Sequence, residues 1–312
     1  MPTMANVTVF CFLASYFVAL VLESARLLRG LAVSRMFPVL AGTAGLVAHT
    51  TYLIVRSGLS NLPPLLSSTH DWLLVLAWIV IVFYLFLTIL DRKLSIGLFT
   101  LPLVLILVCV AYLVSSEPSA VIANDPEMVE AADWGWAMLH ASFLVFGMAG
   151  VLIGLVLGMM YLVQHRRLKH KHAGRQGLML PSLEKLARLN WWSVILSFPL
   201  LTLGMATGVI LGLMSRRSSN PVTFNDPIVI ISGIVWLVMV VFFVWLLQTH
   251  RPVGKQVAWM TIWAFGFLLV TLLGLQILIG GGTFSLESWH ASLPGTNSFI
   301  ISMLSLQEHS SR

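Results

Sequence analysis

Two histidines, His49 and His140, fall inside apolar stretches of this chain of 312 residues. Neutral imidazole is a good iron ligand, and an axial histidine is a common attachment for haem. Each histidine also has a plainer use, as a side chain bonded to a neighbouring helix. Trp134 and Trp136 stand just before His140. They could floor a flat ligand or simply join an interfacial aromatic belt. His165, His170 and His172 resemble a metal-ligand cluster, but Arg166, Arg167, Lys169 and Lys171 lie among them and repel a cation. Cys11 and Cys109 are the only cysteines and form no Cys-x-x-Cys, so a thiol relay is not encoded. Both are expected to be buried apolar cysteines.

These side chains must be carried by membrane helices. Hydrophobic residues make up 58% of the chain and charged ones 10%, far below the ~25% charged of soluble domains. Eight apolar stretches are long enough to span a bilayer core, near 4–25, 36–55, 72–90, 95–115, 134–163, 191–214, 227–248 and 256–279. The runs are continuous and not alternating, which predicts helices and not a barrel. The expected fold is all-α: a polytopic membrane protein with eight transmembrane helices. The first span has no basic residue before it and several soon after, so it is expected to stay as an anchor.

Charge sets the expected orientation. With both termini outside, 14 of the 18 Lys+Arg fall on the inner side. Only Arg56, Arg216, Arg217 and Arg312 fall outside. The net charge of +6 is therefore a matter of topology and gives no reason to expect nucleic acid. Span interiors are nearly free of charge, with Glu23 near the inner end of the first, which disfavours an ion-coupled carrier. In this frame His49 lies in the outer half of its helix. His140 lies about two turns in from the outer end of the fifth, at ~1.5 Å per residue. The two are expected at similar depth.

Glycines recur every four residues as Gly150, Gly154 and Gly158, and again as Gly204, Gly208 and Gly212. Small residues on one face let helices approach closely. The two spans are expected to pack as a pair, either for packing alone or as a wall of a site. Before the second run, Leu180 to Asn190 reads as an amphipathic lead-in. Leu183, Leu186 and Leu189 lie at helical spacing, with Pro181 at the first helical position.

The lead-in followed by Gly204, Gly208 and Gly212 resembles the cytochrome c assembly family of membrane proteins, the CcsA, CcmC and HemX group. The resemblance covers roughly residues 35–285. It includes Leu73–Trp78 with Asp71 before it, Ser95–Leu103, and the histidine-led helix Leu139–Leu144. It implies haem as cofactor, with His140 at the place of the first of two outer-face haem histidines. It further implies other assembly components and apocytochrome c as partners, in a bacterial inner membrane. Three departures stand out. The family's tryptophan-rich loop is replaced by Ser215–Pro227, where only Asp226 and Pro227 match. Gln248 stands at a usual histidine place, with His250 two residues on. Phe284 stands where the second outer histidine belongs, and His290 follows six residues later.

The expected organisation is one membrane domain, 1–285, with a poorly ordered outer tail, 286–312. The expected function is haem handling or an accessory role in cytochrome c assembly. The alternative is a HemX-like, non-catalytic membrane partner that no longer binds haem. Haem ligands are expected at His140 and His49, with Trp134, Trp136 and His290 as further cofactor-binding candidates. No constellation in the chain points to catalysis of its own.

Overall fold

The computed structural model describes residues 8–28, 34–60, 63–90, 96–114, 131–169, 180–214, 227–248 and 254–280. Its side chains are described there apart from 131–133, 227–228 and 270–280. Within these residues the chain is all-α. The helices are α1 (Val9–Leu28), α2 (Met36–Ser60), the single turn α3 (Pro64–Ser67), α4 (Thr69–Leu90) and α5 (Gly97–Leu113). They continue with α6 (Ala131–Lys169), α7 (Leu183–Met214), α8 (Pro227–Gln248) and α9 (Gly254–Gly280). In lipid every backbone polar group must be paired within its own segment, which such apolar runs achieve as helices.

Six of the described helices, α1, α2, α4, α6, α7 and α8, are long and apolar enough to cross a membrane. The apolar α5 is shorter, at 17 residues. The fold falls into two groups of helices. α1, α2, α4 and α5 pack on one another, and α6 and α7 pack with α9, which also carries α8. Contacts of α3, α4 and α5 with α6 join the groups. The core runs through Phe12, Tyr16, Leu73, Ile81 and Tyr84 in the first group and Val151, Leu152 and Phe265 in the second. Phe17, Ile54, Phe86, Val241 and Trp263 project outward, as lipid-facing side chains do.

Several boundaries differ from expectation. α2 continues to Ser60, and the expected loop that follows it holds the turn α3. The lead-in is continuous with its span as the single helix α7, since neither proline nor glycine interrupts residues 183–198. It starts after Ser182, whose Oγ accepts the N–H of Lys185 at 3.3 Å, so serine caps the helix and Pro181 stays outside it. Its buried face runs through Leu186, Asn190, Ser193 and Ser197, while Leu189 is exposed. Asn190 is held inside by its side-chain amide, which donates to Thr261 Oγ1 of α9 at 3.2 Å. The cysteines are corrected too: both are free thiols on the outward surface, because their helices bury only one side. Glu23 is buried and pairs with Arg26 at 3.0 Å, which tolerates a carboxylate at the helix end.

Candidate functional site

The seam between α6 and α7 is built from glycines. A Cβ at Gly204 would lie 2.6 Å from Cδ2 of Leu144, and one at Gly154 2.6 Å from Oγ of Ser193. Gly147 meets Leu201 and Gly150 meets Ser197 in the same way. Such approaches leave no room for a side chain, so the two backbones lie against each other. Gly158 faces α9 instead, where its Cβ would meet Ile262 and the carbonyl of Ala258.

His140 sits in this seam. Its Nδ1 lies 2.8 Å from the backbone oxygen of Gly204. A Cβ at Gly208 would lie 2.7 Å from the imidazole Cε1, so glycine there is what admits the ring. A carbonyl oxygen only accepts hydrogen bonds, so Nδ1 carries the proton. In the neutral ring the lone pair is then on Nε2. That is the tautomer a metal-ligating histidine takes when a backbone carbonyl orients its other nitrogen. Trp136 lies four residues before His140, on the same face of α6, and is half-buried, as is Trp134.

His49 belongs to the other group of helices. It is fully buried on α2 and stacks on Phe12 of α1, with ring centroids 4.3 Å apart and planes within 3°. The hydroxyl of Tyr16 lies 3.1 Å from its Nδ1. Gly45, one turn earlier, lets that tyrosine lie against α2, since a Cβ there would come within 2.7 Å of its Cδ1. Among the described residues Nε2 of His49 has no hydrogen-bond partner. A buried nitrogen without a partner is costly, and it is also what a missing ligand would satisfy. The two imidazoles are thus held by different helix pairs, His49 by α1–α2 and His140 by α6–α7. His290 lies outside the described residues, as do His170, His172, His250 and the loop 215–226. His165 stacks on Tyr161 with centroids 6.2 Å apart.

A polar knot joins α2, α3, α4 and α5. The guanidinium of Arg56 pairs with the buried carboxylate of Asp71 through Nε and Oδ1, and Ser67 donates its hydroxyl to the other oxygen, Oδ2. The Asp71 N–H reaches Ser68 Oγ at 3.2 Å. Beside it, Nδ1 of His70 donates to the carbonyl of Ala111 at 2.7 Å, so Nε2 accepts the Tyr52 hydroxyl at 3.2 Å. Tyr52 also approaches Phe12, with centroids 5.7 Å apart, which links the knot to the ring stack around His49. Sequence reasoning took Arg56 only as a topological charge. The signal was its spacing: His49, Tyr52 and Arg56 fall at i, i+3 and i+7, on one helix face. Among the described residues no group of three or more His, Cys, Asp or Glu could hold a bare metal ion.

Comparison with known proteins adds the family. Residues 66–281 match the family model described as Cytochrome C assembly protein. The chain is 29% identical over 120 residues to the cytochrome c biogenesis protein CcsA of Chlorella vulgaris, covering 38% of this chain and 37% of that one. It is 27% identical over 140 residues to protein HemX of Brevibacillus brevis, covering 44% of this chain and 49% of that one. The matches thus span less than half the length of either relative. No solved structure matches the chain significantly. With about two thirds of its residues under one family model, the chain belongs to the cytochrome c assembly protein family.

Proposed function

We propose that this protein handles haem, or serves as an accessory in cytochrome c assembly, in a bacterial inner membrane. The observation that carries the reading is the bond from His140 to the Gly204 carbonyl, which puts the lone pair on Nε2 at a rigid helix seam. His49, whose buried Nε2 has no partner among the described residues, is the second ligand candidate. These donors fit haem in kind: if it binds, the neutral imidazole nitrogens of His140 and His49 would hold its iron. Trp134 and Trp136 are candidates to floor the porphyrin plane, and His290 is the candidate nearest the family's second outer histidine.

The reading carries eight spans with both termini outside, the six long apolar helices being joined by α5 and α9. The split of Lys+Arg supports that orientation. It also carries a membrane domain over 1–285 with an outer tail over 286–312. Other assembly components and apocytochrome c are the partners it implies.

One observation favours a second reading, a HemX-like membrane partner that binds no haem. The stretch from Ser215 to Pro227 holds no tryptophan, so a stacking platform of the family kind is absent from it. The absorption spectrum of the protein in mild detergent separates the two. A Soret band that disappears in His140→Ala supports haem handling. A colourless protein that co-purifies with another membrane factor supports the second reading.

A further inference from the structure

We infer that the groove between the end of α8 and the start of α9 seats one anionic phospholipid. This holds whether or not the chain binds haem. The groove measures about 490 Å³ and is lined by Trp245, Lys255, Gln256, Trp259 and Met260. Lys255 and Gln256 are exposed in the first turn of α9. Lys255, Trp259, Trp263 and Phe267 then follow at intervals of four residues, so they form one stripe along the helix. Every member of the stripe faces outward, with Trp263 71% and Phe267 52% exposed. A cation leads and three aromatic rings follow. A phospholipid has the complementary profile, an anionic head followed by an apolar tail.

The groove also lies at the basic end of the bundle. A Cβ at Gly254 would come 2.7 Å from the Tyr161 hydroxyl, which places the start of α9 beside the end of α6. α7 runs antiparallel to α6, since Gly154 opposes Ser193 while Gly208 opposes His140. Lys255 therefore shares one end of the bundle with Arg166, Arg167, Lys169, Lys185 and Arg188. Such an end draws anionic headgroups in general, and the cation that meets a seated headgroup adds about fivefold in affinity. A zwitterionic lipid has no net charge to answer Lys255. Free phosphate has no tail for the tryptophan stripe.

The test is native mass spectrometry of the full chain in mild detergent, with phosphatidylglycerol or phosphatidylcholine of identical acyl chains. Wild type is expected to retain one phosphatidylglycerol in preference to phosphatidylcholine. Lys255→Gln lowers that preference about fivefold, and Lys255→Arg restores it. Trp259→Ala weakens retention of both lipids. Lys185→Gln, which removes an exposed cation from the same end but outside the groove, leaves the preference intact. Equal retention of both lipids by wild type overturns the proposal. So does a preference that survives Lys255→Gln, or one that Lys185→Gln lowers as much, since either makes the basic end diffuse and the groove irrelevant.

Discussion

The imidazole of His140 crosses the α6–α7 seam to bond the backbone oxygen of Gly204 at 2.8 Å, and it does so over a glycine. One turn along α7, Gly208 leaves the space that the ring occupies. Packing and imidazole orientation are therefore one device. Gly208→Leu is expected to destabilise the protein by at least the ~1–3 kcal/mol of overpacking, and to turn His140 away from Gly204. Thermal unfolding in detergent reads the first effect. Wild-type melting would mean that the seam opens at no cost.

Gly154→Leu makes the same point where no histidine is involved. A Cβ at Gly154 meets Ser193 of α7 and Phe265 of α9, so the variant must separate three helices. Gly266 is the control, because among the described residues nothing lies within 4 Å of its Cβ position. Gly266→Ala is expected to be neutral or to stabilise by up to about 1 kcal/mol, the helix propensity difference. Equal losses from both variants would tie the effect to glycine chemistry in general and not to the seam.

The knot around Asp71 should respond as a unit. Asp71 is 1% exposed and its carboxylate is shared between Arg56 and Ser67. Asp71 is buried whereas the Arg56 side chain is 24% exposed. Removing the arginine therefore strands the carboxylate, at a cost that approaches the ~3–5 kcal/mol of a buried pair, and removing the carboxylate costs less. Arg56→Gln is expected to lower the melting temperature sharply, and Asp71→Asn by less. The double variant should lose less than the sum of the two, because neither charge is then stranded. Strict additivity in this cycle would show that the residues do not act together.

How far the chain could be read in advance follows from what each signal depends on. The helices were legible because apolar runs of spanning length have one solution in lipid. The α6–α7 pairing was legible because glycine at four-residue spacing marks close approach. The knot was hidden: Arg56 and Asp71 stand 15 residues apart, across a break that sequence alone reads as loop. Only the turn α3 reveals that the chain folds back and brings them together. The buried place of Asn190 was hidden for a related reason. The leucines at 183, 186 and 189 suggested an apolar face, but burial followed the helix seam, and Thr261 made a polar residue tolerable there. Neighbours of this kind are supplied by distant helices.

The orientation is open to a direct check. Reporter fusions placed in the 170–179 segment and after residue 285 are expected on opposite sides of the membrane, the first inside and the second outside. The expectation follows from the segregation of Lys+Arg. Both reporters on one side would remove a span from the count or add one, and the eight-helix topology would fail.

The last prediction concerns the haem ligands. A ligand on a packed helix is already in place, whereas one on a chain segment that must be ordered costs roughly 1–2 kcal/mol per residue fixed. His140 is held by Gly204, and His49 by Phe12 and Tyr16. His290 follows a Gly- and Ser-rich stretch and stands six residues beyond the family's histidine position. His140→Ala and His49→Ala are each expected to weaken haem binding, and His290→Ala to change it little. Tyr16→Phe adds a finer reading, since it removes the partner of the His49 Nδ1 and keeps the ring. Haem affinity should fall in that variant by less than in His49→Ala. Titrations followed at the Soret band measure all four. Suppose that His290→Ala abolishes the band while His49→Ala and Tyr16→Phe leave it intact. The ligands are then the family's outer-face pair, and the buried Nε2 of His49 has a structural role alone.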